Sequence, residues 1–416
     1  MPDAPRLNAE HRLALIEGQA HFGLHAYDAA AVAFERATVL AEEQHADAPA
    51  SPARGWLGRA LLRARDDTRA ESVLKAALAE TPERGPVLCA LHEAALRRGD
   101  LDQAAAYGRR ALSEAQDRDS HGDEAEARAA IALEHVVRGR LAEASEQLEL
   151  AREGVDEIGR PALLGRILAL SIEVDLARGR FGQALYGLEI LLELATKYPL
   201  ATRQPEAVVL LAEAMRRTGL AEDARAAALQ ALAFAKTEGG RADGVRVQAA
   251  RVLCDVGHYA EAEDALFGEV DVDDGSLDDP AGHRLGVTAR VCAHSEDPGA
   301  RVRAADLVGE LLARPAPSVA IRAAQIQLDA ARALLVLGDG SQAKAAAKRG
   351  LKLVHGLAAR GIRLDLMLAL HDVQPDERVA EAVLKVAGRI LESLPEHARE
   401  AFRQRPGLQE ILIARD

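Results

Sequence analysis

Apolar positions recur three and four residues apart through most of the chain. Leu133, Val136 and Val137 show this, as do Leu185, Leu188, Leu191 and Leu192, and it is the period of an amphipathic helix. Alternating β-branched runs bounded by tight turns, the mark of strands, do not occur, so an all-α fold is expected. A short phrase punctuates the helical segments, a Gly followed five residues later by an Ala. It reads Gly99–Ala104, Gly139–Ala144, Gly179–Ala184, Gly219–Ala224, Gly257–Ala262, Gly299–Ala304 and Gly338–Ala343. His25–Ala30 and Arg65–Ala70 keep the Ala without the Gly, and Pro375–Ala380 carries Pro instead. The ten alanines lie 34 to 42 residues apart. That period predicts about ten helix hairpins in an α-solenoid wound as a right-handed superhelix.

Each member of the phrase has a physical task. A Gly with left-handed backbone closes one helix and reverses the chain. The Ala then lets the second helix approach the first near the turn, where a larger side chain would hold them apart. The packing pattern resembles the tetratricopeptide repeat family, whose units pair small residues with a bulky apolar one across each hairpin. The second unit carries Gly58, Leu61, Ala70, Leu74, Ala77 and Pro82; the first carries Gly18, Ala30, Phe34 and Ala37; the fourth carries Ala132, Gly139, Ala144, Leu148 and Ala151. Later units place Leu191, Glu269, Leu311 and Gly350 where the family favours Ala. Most units are also longer than the family standard, which is similar to its long-unit (about 40-residue) bacterial variety. HEAT repeats have comparable length, but their kinking Pro does not recur here. The expected division is a polar tail at 1–9, repeats 1–7 over 10–268, an acidic inter-repeat loop at 269–281, repeats 8–10 over 282–393 and a C-terminal capping helix at 394–416. Pro395 would stand near the start of that cap, and Pro406 would interrupt it.

Composition narrows the function classes. Among 416 residues only 3% are aromatic, so base-stacking nucleic-acid folds and aromatic sugar platforms are not expected. A net charge of −13 argues against generic phosphate-backbone binding. Cys89, Cys254 and Cys292 are odd in number, far apart and without ligand spacing, which fits a reducing compartment. Met1–Leu7 has no basic stretch followed by an apolar run, and no spanning apolar segment occurs, so a cytoplasmic protein without membrane insertion is expected.

Candidate chemistry is thin. In the acidic run Asp271, Asp273, Asp274, Asp278 and Asp279, a calcium loop begun at Glu269 would need Gly where Asp274 stands and Glu where Pro280 stands. His21 and His25 share a helix face without the Glu of a zinc-protease motif. Gly239–Gly244 lacks the Lys-Ser/Thr of a phosphate loop. Cys292 occupies a packing slot and Cys254 is placed towards the groove. No metal, cofactor or catalytic residue is therefore expected. A helical enzyme would need clustered carboxylates in a closed ring of helices.

The resemblance implies that first-helix positions line a binding groove. Carried onto this chain, these are Arg59, Leu62, Arg63, Glu93, Arg97, Glu126, Arg166, Glu173, Glu213, Arg216, Arg217, Arg251, Gln325 and Arg332. Arginine forks suit a carboxylate-bearing peptide. The one asparagine, Asn8, lies outside this list, which removes the groove asparagines that chaperone clamps and peptide-pheromone sensors of this fold use. The expected function is a non-enzymatic scaffold or adaptor for a protein or peptide of unknown identity, compatible with a homo-oligomer. The alternative is the effector- or partner-sensing regulatory arm of a bacterial transcriptional or kinase signalling system.

Overall fold

The computed structural model describes residues 4–24, 26–43, 50–81, 84–158, 160–198, 204–237, 243–267, 280–315, 317 and 319–414. Among them the elements are α-helices, with no strand. Most of the acidic loop expected at 269–281, most of the Gly-rich stretch at 239–244, and His25 and Pro82 lie outside the described residues.

The helices come in consecutive packed pairs. They are α1 (Ala4–Gly23) with α2 (Tyr27–Glu43), α3 (Ser51–Arg63) with α4 (Asp67–Glu80), α5 (Arg84–Arg97) with α6 (Leu101–Asp117), and α7 (His121–Val137) with α8 (Leu141–Ile158). Next come α9 (Pro161–Arg178) with α10 (Phe181–Lys197), α11 (Gln204–Thr218) with α12 (Ala221–Thr237), and α13 (Asp243–Asp255) with α14 (Tyr259–Phe267). The last pairs are α15 (Pro280–His294) with α16 (Pro298–Ala313), α17 (Ala320–Val336) with α18 (Gly340–Leu353), and α19 (Arg360–Val373) with α20 (Glu377–Ser393). Two short helices follow, α21 (Glu396–Arg403) and α22 (Leu408–Ile413), with Pro406 between them. The hairpins match the ten units counted from the alanines, and the chain is an α-solenoid of helix hairpins.

Six turns share one hydrogen-bond pattern. At Gly99 the amide bonds Leu96 O and the next amide bonds Ala95 O; Gly139, Gly179, Gly219, Gly257 and Gly338 repeat it, each with φ between +73° and +89°. This is the Schellman stop, which satisfies the orphan carbonyls of the closing helix. Arg65 (φ 70°) and Asp119 (φ 51°) make the same bonds without Gly. Gly299 departs from expectation. It lies in the first turn of α16, where Asp297 caps its amide and that of Ala300, and Pro298 pre-sets the helical φ. The alanines 104, 144, 184, 224, 262 and 343 are fully buried, as close helix contact requires. Across the second hairpin, a Cβ on Gly58 would overlap the Leu74 side chain, so the small residue makes room for the bulky one.

The chain divides into two compact units, residues 1–134 with 146–167, and residues 135–145 with 168–416. In the first, Phe34, Leu61, Leu74 and Leu91 build the core, and Trp56 stacks on Phe34 at 5.7 Å. In the second, the run of hairpins returns on itself. α10 meets α20, α11 meets α21, Phe181 packs on Phe402 at 6.1 Å, and Arg405 donates to the Arg217 carbonyl at 3.2 Å. Glycine permits the closest approaches. A Cβ on Gly361 would overlap the Leu176 carbonyl oxygen, and one on Gly219 would overlap that of Ala401. The first helices of the hairpins therefore face a shared lumen in the second unit.

Candidate functional site

In the first unit the expected groove arginines are already engaged. Arg63 makes two bonds to Glu93, at 3.0 and 3.1 Å. Arg97, only 4% exposed, reaches Glu93 at 2.9 Å, Asp67 at 3.2 Å and the Leu62 carbonyl at 2.8 Å. Burial alone would raise the Glu93 carboxyl, but the charges of Arg63, Arg97 and Arg166 outweigh it and hold it at about 2. Arg59 lies over the Trp56 ring and 3.5 Å from Glu126 Oε1, and Arg166 stands 3.8 Å from the same oxygen. Leu62 is a core residue, 1% exposed, and is removed from the groove surface. The arginines and glutamates expected along this groove are thus paired with one another.

The second unit carries a larger network inside its lumen. Asp255 accepts from Arg290 and Arg332, each at 2.5 Å, and lies 3.0 Å from Arg216. Asp329 accepts from Arg290 at 3.1 Å and Arg251 at 3.2 Å. Asp365 accepts from Arg405 at 2.6 Å and Arg216 at 3.5 Å. Glu213 takes Arg216 at 2.8 Å and Arg217 at 2.5 Å. The three aspartates are at most 3% exposed. Burial works to raise Asp255, Asp365 and Glu213, yet the guanidinium charges overcome it, holding Glu213 at about 2 and both aspartates lower still.

Beside this network lies a cavity of about 210 Å³. Its wall combines Leu170, Val174, Leu210, Val247, Ile321 and Ile362 with Glu173, Glu213, Gln248, Arg251, Arg322 and Gln325. Five of the sequence-expected groove residues, Glu173, Glu213, Arg217, Arg251 and Gln325, come together on it, while Arg332 sits in the adjoining network. The encircling helices push the Glu173 carboxyl up, against the pull of Arg322 at 3.8 Å. The sequence reading missed Arg290, Asp255, Asp329, Asp365 and Arg405. For Arg290, Asp329 and Asp365 a signal was present, a charge inside an otherwise apolar helical run.

No family model matches the chain, and no curated relative does. Among solved structures, it is similar to a Rap protein complexed with competence and sporulation factor, at 13% identity over 88% of this chain and 98% of that one, with a TM-score of 0.47. It is also similar to yeast Tom70, at 13% identity over 98% of this chain and 90% of that one, with a TM-score of 0.38.

The cysteines offer no second site. All three are buried thiols, and Cys254 belongs to the same apolar core cluster as Val208 and Leu253. Burial pushes its thiol up to about 12, which leaves it unreactive as a nucleophile. Among the described residues no group of His, Cys, Asp or Glu is arranged to hold a metal, and no helix is long and apolar enough to cross a membrane.

Proposed function

We propose that the chain is a non-enzymatic recognition module of tetratricopeptide type, which takes a protein or peptide segment on the first-helix faces of its second unit. The observation that carries this reading is the lumen cavity. Its apolar wall interrupted by a few oriented polar groups is the composition of a binding site. The carboxylates of the ion network support binding over chemistry. A general acid or base works best with a pKa near the operating pH; Glu213, Asp255 and Asp365 are held far below it by arginines, while burial raises Glu173 on the cavity wall. Closure of the ring and clustering of carboxylates are the features that would favour an enzyme, and the pairing of Asp255, Asp365 and Glu213 with arginines is what supports the scaffold reading against it.

The test is affinity capture from an extract of the source organism with the immobilised full chain and with Ile321→Trp, which fills the cavity. Loss of a captured protein in the variant supports the reading, and equal capture removes it. A second reading, a ligand-sensing regulatory arm, is favoured by one contact. Arg405 of the C-terminal segment bonds the carbonyl of Arg217, a cavity residue, so occupancy of the cavity would bear directly on ring closure.

A further inference from the structure

We infer that the outer face of the ninth and tenth hairpins is a second docking site, a basic groove that takes an extended acidic segment of a partner protein, with carboxylates flanking an aliphatic centre. The site is separate from the lumen cavity and does not rest on the reading of that cavity.

The sequence marks the place. Only seven of the 416 residues are Lys, yet Lys344, Lys348 and Lys352 follow one another at every fourth position on α18, which carries no Asp or Glu. Residues four apart share a helix face. In the structure Lys344 and Lys348 line one wall of a groove of about 390 Å³ between α18 and α20, with α19 as its floor. Arg378 stands on the α20 side and Arg363 on the floor. Arg363, Met367, Leu370 and Gln374 share one face of α19, and Asp365 of the lumen network lies on the opposite one, so the groove opens away from the lumen.

The charges of this groove are uncompensated. Lys348, Arg363 and Arg378 make no ion pair among the described residues, and Lys344 donates to Gln374, a neutral acceptor. Among the described residues the one carboxylate on the wall is Asp376, and it is committed to capping α20, where it accepts from the amides of Arg378 and Val379 at 2.8 and 3.4 Å. The chain has a net charge of −13 and pairs its lumen arginines with carboxylates. Four cations left around one groove are therefore complementary to an anionic partner.

The spacing selects the form of that partner. Arg363 and Gln374, which holds Lys344, are eleven residues apart on α19, about 16 Å along the helix. A single phosphate does not span that distance, whereas about five residues of extended chain do. Between the ends the floor is apolar, with Met367 and Leu370 beside Leu351 and Val379, and Met adapts to varied apolar side chains. Among the described residues no Phe, Tyr or Trp lines the groove for a base to stack on. An extended peptide with acidic residues on both sides of aliphatic ones meets all these features, and it needs no free chain end.

Titration calorimetry on the full chain tests this with acetyl-Asp-Glu-Leu-Ala-Leu-Glu-Asp-amide, both ends blocked. Two control peptides replace its acids by Asn and Gln, or its leucines by Gly. Tripolyphosphate and single-stranded oligothymidylate serve as phosphate polyanions. The acidic peptide is expected to bind, both control peptides at least ten-fold more weakly and neither polyanion more tightly. Lys348→Glu combined with Arg363→Glu, both at exposed side chains, is expected to leave the melt unchanged and to abolish binding, while Ile321→Trp in the lumen binds the peptide as the parent chain does. No binding of the acidic peptide, equal binding of either control, or binding kept in the double reversal would overturn the inference. So would tighter binding of a polyanion, which would mark a phosphate site, or loss of binding in Ile321→Trp, which would return the peptide to the lumen. If the double reversal does not fold, as circular dichroism would show, Lys348→Gln decides, with a three-fold or greater loss of affinity expected and an unchanged affinity overturning the inference.

Discussion

Gly219 and Gly338 form a matched pair for testing whether ring closure stabilises the second unit. Both end a first helix with the same Schellman bonds, at φ +89° and +87°. An alanine at either position meets the left-handed backbone cost of roughly 1–2 kcal/mol. At Gly338 that is the whole effect, because nothing lies within 4 Å of the new Cβ. At Gly219 the Cβ also overlaps the Ala401 carbonyl and lies 2.6 Å from its carbon, so the segment around α21 must shift away. That shift weakens the packing of Phe402, fully buried, and the bond from Arg405 to the Arg217 carbonyl. Losing about half of a buried Phe's transfer energy, ~1 kcal/mol, and a charged hydrogen bond, ~1.5 kcal/mol, gives an excess of roughly 2–3 kcal/mol. Urea denaturation followed by circular dichroism measures the two losses, and hydrogen exchange reports whether α21 opens first. Equal destabilisation of Gly219→Ala and Gly338→Ala, with α21 still protected, would refute the closure argument.

Three further outcomes follow from the packing and the charges. Burial lowers the His92 pKa from 6.5 to about 4 despite Glu134 and Glu93, so the neutral ring stabilises the first unit fully above pH 6.5. On the order of 3 kcal/mol is lost as the pH falls from 6.5 to 4, and His92→Phe should flatten that slope in melts taken across the window. Arg97→Gln strips Glu93 and Asp67 of a buried partner and should cost about 3 kcal/mol, whereas Arg59→Gln, half-buried and 3.5 Å from Glu126, should cost under about 1 kcal/mol in the same denaturation assay. Ala184→Leu introduces extra methylenes at a fully buried hairpin contact and should destabilise by roughly 1–3 kcal/mol; an unchanged melt would mean that the repeat register is misplaced.

The fold was legible because its determinants are local. A Gly stop, a buried Ala five residues on, and a small residue opposite a bulky one lie within single units, so one sequence repeats them from hairpin to hairpin, the Gly stop at six turns. Gly299 shows the limit of the phrase, since the stronger Asp297-Pro298 start signal overrides the glycine stop. The site was legible only in part. Glu173, Glu213, Arg217 and Arg251 were identified as first-helix residues, yet their meeting on one wall depends on contacts far apart in sequence, such as Arg216 with Asp365 across 149 residues. The same reasoning covers the first unit. Glu93 and Arg97 are four residues apart on one helix, and only folding brings Arg63 from thirty residues away to the same carboxylate.

Site-specific photo-crosslinking tests the central claim most directly. A benzoylphenylalanine at Ile321, on the cavity wall, is compared with one at Tyr186, which is 60% exposed on the second helix α10. Both full-length proteins are irradiated with the same partner-containing extract. The account predicts a discrete crosslinked species from position 321 and none from position 186. The same species from position 186 with none from position 321 would place recognition outside the lumen and contradict it.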